Sequence, residues 1–458
     1  MTMLRAIDPS SGKELRSVES SSPDAVDAIL AAGDAAYHQW RRQDYASRGK
    51  LLRAVAKVMR DDVDALALPM VEEMGKPIKE ARAEVLKSAW CAEHYADHAA
   101  EYLSTEVIES DATKSYVQYL PLGVVLGILP WNAPFWLAFR FCAPTLMAGN
   151  TCVMKHDPHV PACAAAIASV FERAGAPAGV FQNLPLETPR VEGVIRDRRV
   201  RAISFTGSER GGAMVASIAG SEIKPAVLEL GGSDPCIVLA DADLDQAADT
   251  ITFSRIINAG QSCIAAKRIL VEESVYPELV QRLRTRLEAL RVGDPRDEST
   301  DVGPIARADL RANLHRQVRE TLEAGATCLL GGELPEGAGF YYPVTLLTDV
   351  TATMCAAREE TFGPVMVVMR VRDEAHALEL ANDTEYGLAA SVWTTTERGE
   401  AIAAQLEAGQ VSVNGVVKTD PRLPSGGIKR SGLGRELGPH GIHEFVNAQQ
   451  IWVGPKKG

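Results

Sequence analysis

From Gly123 onward the chain alternates short apolar runs with amphipathic stretches, and this alternation constrains the fold more than any other feature. The run Val124-Val125-Leu126-Gly127-Ile128-Leu129 has the length and composition of a buried strand. Ala133 to Gly149 reads as one or two helices, Thr151 to Lys155 as a second strand, and Pro161 to Ala174 as a helix closed by Gly175. Strands at Val200 to Phe205 and Ala226 to Leu230 follow, with a helix from Gly211 to Ala219 between them. Such alternation predicts an α/β fold built on parallel sheet. A second alternating region runs from Cys236 toward Asn414. It has strands near Cys236 to Leu239, Arg268 to Val271, Val365 to Val368 and Ser391 to Thr394, and helices over Val275 to Leu290 and Asp309 to Ala324.

The first hundred residues look mostly helical. Ala25 to Trp40, Arg48 to Met70 and Lys79 to Tyr102 carry apolar residues at three- and four-residue spacing. A polar, β-leaning stretch, Ser104 to Leu120, predicts a hairpin projecting from the body, and Gln449 to Val453 a short terminal strand. At 458 residues, two or three domains are expected.

Composition removes several function classes. The formal net charge is −12, and no Lys/Arg cluster is interleaved with aromatics, so nucleic acid and anionic membrane are not expected partners. The N-terminus, Met1 to Asp8, has neither the basic nor the apolar region of a signal peptide. The most apolar stretch, near Gly123 to Leu129, is broken by glycine and Pro130, far short of the ~20 residues that span a bilayer. Eight cysteines are scattered without C-x-x-C spacing, which suits a reducing cytoplasm. Nine histidines are equally dispersed, and no metal site is expected.

Against that background two motifs carry chemistry. Glu229-Leu230-Gly231-Gly232 puts a carboxylate beside a side-chain-poor turn, and Gly260-Gln261-Ser262-Cys263 puts a thiol beside a glycine. Most free cysteines are simply small buried hydrophobes. Here Gly260 permits close backbone approach, and a helix starting near Ser262 would lower the thiol pKa through its dipole. Glu229 is either a surface residue at a strand end or a ligand-facing group, since carboxyl ends of strands in α/β sheets face ligands. A thiol and a carboxylate in one pocket can divide acyl chemistry between nucleophile and base. Pro130-Trp131-Asn132-Ala133-Pro134 offers either a turn with an Asn cap or an amide donor toward a developing oxyanion. Phe205-Thr206-Gly207-Ser208-Glu209 is a strand–turn–helix able to present N–H groups to a pyrophosphate.

Together with Glu359-Glu360-Thr361-Phe362-Gly363-Pro364 and Pro424-Ser425-Gly426-Gly427-Ile428-Lys429-Arg430-Ser431-Gly432, these segments resemble the aldehyde dehydrogenase superfamily over essentially the whole chain. Within it the likeness is to bacterial NAD(P)-dependent succinate-semialdehyde dehydrogenases, through residues 228–235, Ala265-Ala266-Lys267-Arg268 and Met154-Lys155-His156-Asp157-Pro158. The resemblance implies a Rossmann-type cofactor domain (1–103 and 121–231), an α/β catalytic domain (232–424), and a small β oligomerisation element (104–120 and 443–458). It implies Cys263 as nucleophile, Asn132 and the Cys263 N–H as oxyanion hole, and Glu229 as base for deacylation. Trp131, Lys155, His156, Pro158, Gly207, Ser208, Leu230, Glu360 and Phe362 would line the cofactor site. The partners implied are a small aldehyde and further copies of the chain, as a homodimer or homotetramer.

Two departures from the family pattern bear on specificity. Many NAD-preferring relatives have a glutamate three residues after the strand-end lysine, where this chain has Pro158, with His156 and His159 beside it. Without that carboxylate a 2′-phosphate meets no like charge, so NADP is expected to be preferred over NAD. Arg140 matches an arginine that contacts the substrate carboxylate in succinate-semialdehyde enzymes, with Trp136 nearby. A second arginine of those enzymes is replaced by Ile257. Arg140 as a structural ion-pair partner, and another aliphatic or aromatic aldehyde as substrate, stay open. So do a CoA-acylating relative, a thiol hydrolase and a catalytically silent scaffold.

Overall fold

The computed structural model describes residues 2–454. Two large sheets dominate. The first has six strands in the order Gly432–Leu433, Ala226–Glu229, Val200–Thr206, Val124–Leu129, Thr151–His156 and Phe181–Asn183. All pair in parallel except Gly432–Leu433, which is antiparallel to Ala226–Glu229. The second has seven strands, ordered Thr327–Leu330, Thr345–Thr348, Val365–Val371, Arg268–Glu272, Pro235–Val238, Ala389–Trp393 and Gln410–Val413. Only Thr327–Leu330 is antiparallel there.

Both sheets are apolar on both faces, as parallel sheet between helices must be. Along Val124–Leu129, Val125 and Leu129 enter one core with the helices Tyr45–Asp61, Ile78–Tyr102 and Pro134–Met147, while Val124, Leu126 and Ile128 enter another. In the second sheet Ile237 and Leu270 face one core, and Cys236, Val238, Ile269 and Val271 the other. The segment after Ala226–Glu229 meets Glu360, and the one after Val124–Leu129 meets Gln261 and Phe362.

The N-terminal region departs from the helical expectation in two places. Met3–Ile7 and Glu14–Glu19 form a two-stranded hairpin, closed where the Asp8 carboxylate accepts from Ser10 N at 2.8 Å and Gly12 takes φ 71°. The helix expected over Arg48 to Met70 is two helices, Tyr45–Asp61 and Val63–Met74, broken at Asp62 (φ −120°, ψ 31°), whose carboxylate pairs with Arg173.

The expected hairpin is present as Glu106–Val107 against Lys114–Pro121. The terminal strand, Val446–Val453, pairs antiparallel with Lys114–Pro121 of the same chain. Residues 455–458 of the terminal element lie outside the described residues. Among the described residues no helix is long and apolar enough to cross a membrane, and all eight cysteines are free.

Candidate active site

Cys263 sits in a turn of unusual backbone. The helix Leu244–Ile256 ends at Ile257, and Asn258 (φ 55°), Ala259 (φ 53°) and Gly260 (φ 73°) then adopt left-handed conformations in succession. For non-glycine residues that conformation needs support from its surroundings. Asn258 has it: its N–H donates to the Glu80 carboxylate at 2.7 Å, and its amide donates to the carbonyls of Asn132 (2.7 Å) and Gln261 (3.0 Å). A Cβ on Gly260 would collide with the Gly363 carbonyl, so the close approach expected at this glycine is real.

The helix expected to start near Ser262 is absent. Residues 261–267 are turn and coil, because Ala266 N donates to Ser254 Oγ (3.1 Å) instead of closing a helical turn. No helix dipole therefore lowers the Cys263 thiol. Burial pushes its pKa up to about 11, against the opposing charges of Lys267 and Arg140.

Asn132 reaches this turn from the other side. Its Nδ2 donates to the Gln261 carbonyl at 3.1 Å, and the second Nδ2 hydrogen remains for another acceptor. Asn132 precedes Pro134–Met147, and its position is fixed by the Asn258 bond to its carbonyl.

Glu229 ends its strand buried, with 4% exposure. Its Oε2 accepts from Arg140 Nη2 at 3.1 Å, and its Oε1 has no hydrogen-bond partner among the described residues. Gly426 makes room for that oxygen, since a Cβ there would lie 2.5 Å from Oε1. Burial pushes the Glu229 carboxyl up to about 8, with Arg140 opposing and Glu436 adding to the rise. Arg140, 3% exposed, lies between two carboxylates: its Nε is 2.6 Å from Glu436 Oε2, and Nη2 also reaches Ser425 Oγ at 3.4 Å. The two carboxylates hold it charged in spite of burial. Nη1 makes no hydrogen bond among the described residues. Trp136 is buried one helical turn earlier, with Lys87 Nζ 4.1 Å above its ring.

The residues expected at a cofactor site gather around the carboxyl ends of the six-stranded sheet. Ser208 caps the helix Glu209–Ser221 by accepting from Gly211 N (3.3 Å), and Gly207 N is tied to the Glu229 carbonyl (3.0 Å). Leu230 packs on Gly212, where a Cβ would come within 2.5 Å of it. Trp131 and Phe362 meet edge to face at 5.8 Å. Glu360 Oε1 accepts from Gly232 N (3.2 Å) and lies 3.2 Å from Lys267 Nζ.

Lys155 tests whether a dinucleotide fits. It is 4% exposed at the end of its strand, yet its Nζ has neither hydrogen bond nor ion pair among the described residues. Its three N–H donors are therefore free, and hydroxyl or phosphate oxygens of a ligand would accept from them. His156 points elsewhere. Its Nε2 meets the Pro134 carbonyl at 3.0 Å, and burial lowers its pKa to about 4, so its ring is neutral and part of the core. Pro158 and His159 stay at the rim, His159 bonded to Asp157 Oδ1 at 2.7 Å.

The sequence motifs did not single out Glu436 or Lys87, and Lys267 lies in a motif that carried the resemblance but was given no role there. Glu436 follows the last motif by a few residues and becomes visible only through its pairing with Arg140.

Comparison with known proteins defines the class. The model of the aldehyde dehydrogenase family matches residues 2–451, and the chain belongs to that family. It is 46% identical over 452 residues to a succinate-semialdehyde dehydrogenase (NADP+) of Mycobacterium ulcerans, covering 98% of this chain and 99% of that one. It is 44% identical to the succinate semialdehyde dehydrogenase (NAD(P)+) Sad of Escherichia coli, covering 98% and 97%. Among solved structures, the succinic semialdehyde dehydrogenase of Streptococcus pyogenes in complex with NADP+ superimposes with a TM-score of 0.96 at 36% identity, over 98% of this chain and 100% of that chain.

Proposed function

We propose that the protein oxidises succinate semialdehyde to succinate with NADP as preferred cofactor and NAD as the lesser one. The observation that carries the chemistry is the Asn132 amide seated on the Cys263 turn, with Glu229 buried close by under Arg140.

Cys263 adds as thiolate to the aldehyde carbon. The new oxyanion is met by the free Asn132 Nδ2 hydrogen and the Cys263 N–H. NADP, which Trp131, Lys155, Glu360 and Phe362 would help to hold, would supply the hydride acceptor that this oxidation to a thioester needs. Glu229 then takes a proton from water, whose oxygen attacks the thioester carbon; the C–S bond breaks, the carboxylate product leaves, Cys263 departs as the thiolate that began the cycle, and the Glu229 proton passes to solvent. Arg140 Nη2 on Oε2 leaves Oε1 as the free basic atom of Glu229. This geometry favours hydrolysis over release to CoA.

Trp131, Lys155, Gly207, Ser208, Leu230, Glu360 and Phe362 hold the dinucleotide in this reading. Pro158 leaves the adenosine 2′-phosphate unopposed, with His159 at the rim, which supports NADP. His156 acts only by bracing Pro134. Arg140 Nη1 and Trp136 take the distal end of the substrate, with Arg140 also serving as the structural partner of two glutamates.

Residues 1–103 and 121–231 form the cofactor-binding body, and 232–424 the catalytic one. Residues 104–120 and 443–458 form the interface of a homodimer or homotetramer. Exposed Val107 (78%), Ile108, Trp452 and Val453 on that small sheet support the last assignment. Scattered cysteines support a reducing cytoplasm.

The test is reduction of NADP and NAD with a panel of aldehydes. Succinate semialdehyde with NADP should give the highest kcat/KM, and Cys263→Ala should abolish it. Absence of reduction with every aldehyde would sink the proposal.

A further inference from the structure

Lys267 is fully buried, 0% exposed, four residues past the nucleophile. An ammonium has three N–H donors and no acceptor. Two are donated, to the Ser262 carbonyl at 3.1 Å and the Cys263 carbonyl at 2.6 Å, and Glu360 Oε1 lies 3.2 Å away as an ion-pair partner. The backbone around it is treated in the same way. Arg255, equally buried, donates through Nη2 to the Gly260 carbonyl at 2.6 Å. The Gln261 carbonyl is taken by Asn132 and Asn258. Every carbonyl from Gly260 to Cys263 is thus held by a side-chain donor.

The described chain has no cis peptide bond, and in a trans peptide the C=O of one residue and the N–H of the next point in opposite directions. A Ser262 carbonyl drawn inward to Lys267 therefore turns the Cys263 N–H outward. That N–H has no acceptor among the described residues, and it leaves the turn on which the Asn132 amide is seated.

We propose that Lys267 is a positioning residue for catalysis: its buried ammonium orients the Ser262–Cys263 peptide so that the Cys263 N–H serves the oxyanion, and its contact with Glu360 couples that turn to the cofactor-binding segment. The proposal rests on Cys263 as the nucleophile. The charged groups acting on the thiol are Lys267 and Arg140, which favour the thiolate, and Glu360 and Asp234, which oppose it. Lys267 is the cation with the larger effect of the two.

The experiment compares Lys267→Met and Lys267→Arg with the wild type. Alkylation of Cys263 by iodoacetamide is followed against pH without cofactor, with Cys263→Ala as blank, and NADP binding is followed by fluorescence titration. For Lys267→Met we expect alkylation at pH 8 to slow at least about threefold, with the rise of rate displaced to higher pH, as removal of a neighbouring cation requires. We also expect kcat to fall at least about tenfold, as for loss of an oxyanion donor, and NADP affinity to change. Lys267→Arg should recover part of each. A Lys267→Met enzyme with an unaltered alkylation profile and kcat within about twofold of wild type overturns the proposal. If Lys267→Met does not fold, Lys267→Arg decides: the charge is kept and the carbonyl geometry altered, so kcat should fall while the alkylation profile stays near wild type. A kcat equal to wild type overturns the proposal. Alkylation needs no aldehyde turnover, so a wild type inactive toward every aldehyde would refute the proposed reaction while leaving this test readable.

Discussion

Arg140 Nη2 lies 3.1 Å from Glu229 Oε2 in an ion pair almost sealed from water, the two side chains being 4% and 5% exposed. The same guanidinium faces Glu436 through Nε. Among the described residues Arg140 is the one side chain ion-paired with either of these buried acids. Removing one partner of such a cluster leaves uncompensated buried charge, which costs about 3–5 kcal/mol. Arg140→Met should lower unfolding stability by an amount of that order, read from denaturant midpoints. It should also impair oxidation of aldehydes that carry no carboxylate. Unchanged stability with a raised KM for carboxylate-bearing aldehydes alone would make Arg140 a pure substrate ligand.

Glu229 should act after the oxidation step. Glu229→Gln keeps the size of the side chain and removes the base, so a burst of reduced cofactor near one per active site should persist. Steady-state turnover should fall about 10²–10⁴-fold, the range for loss of a general base. Burial holds the Glu229 carboxyl up at about 8, so the basic form gains population as pH rises through that value. Where hydrolysis limits turnover, kcat should climb between about pH 7 and 9 in the wild type, and this climb should vanish in Glu229→Gln. Stopped-flow bursts and a kcat profile against pH check both parts.

What could be read from the sequence divides along a physical line. Val124-Val125-Leu126-Gly127-Ile128-Leu129 and Thr151 to Lys155 read as strands because both of their faces are buried, so composition alone marks them. Asn132, Glu229 and Cys263 read as candidates because each sits in a short motif whose glycines or prolines fix the local backbone. The helix at Ser262 was misjudged because its would-be donor, Ala266 N, is diverted to Ser254 Oγ, and Lys267 claims the Ser262 carbonyl. Those contacts lie outside any propensity argument. Arg140 as an ion-pair partner is open in the sequence, but its partners are not legible there, since one carboxylate, Glu436, comes from the far end of the chain. The hairpin Met3–Ile7 with Glu14–Glu19 had a turn signal in Asp8 to Gly12, but its exposed faces carry too few apolar residues to register as strands.

Gly260 and Gly220 make a matched pair. At Gly260 the backbone is left-handed and a Cβ would strike the Gly363 carbonyl; at Gly220, inside the helix Glu209–Ser221, a Cβ meets nothing within 4 Å. Gly260→Ala should destabilise the protein by about 1–3 kcal/mol, as overpacking does, and displace Cys263 enough to lower kcat/KM more than stability. Gly220→Ala should instead stabilise by about 0.5–1 kcal/mol through the helix preference of alanine, with activity unchanged. Thermal melts and aldehyde kinetics of the two variants check the contrast.

Pro158 offers the most direct handle on cofactor choice. It follows Lys155 by three residues and is half-buried, and the neighbouring Asp157 carboxylate is already engaged by His159. Under the proposed function, a carboxylate placed there accepts from the adenosine ribose hydroxyls of NAD and repels the 2′-phosphate of NADP. Pro158→Glu should therefore move the ratio of kcat/KM for NADP over NAD at least about tenfold toward NAD, equivalent to about 1.4 kcal/mol. Most of the change should appear in the KM for NADP, because the phosphate is remote from the reacting carbon and contributes to binding alone. Adding salt should weaken the discrimination, since the rim is open to solvent and the Debye length there is only about 10 Å at 0.1 M. A ratio that stays fixed in the variant, at low and high salt alike, would place the 2′-phosphate away from this rim and return the choice of cofactor to other residues.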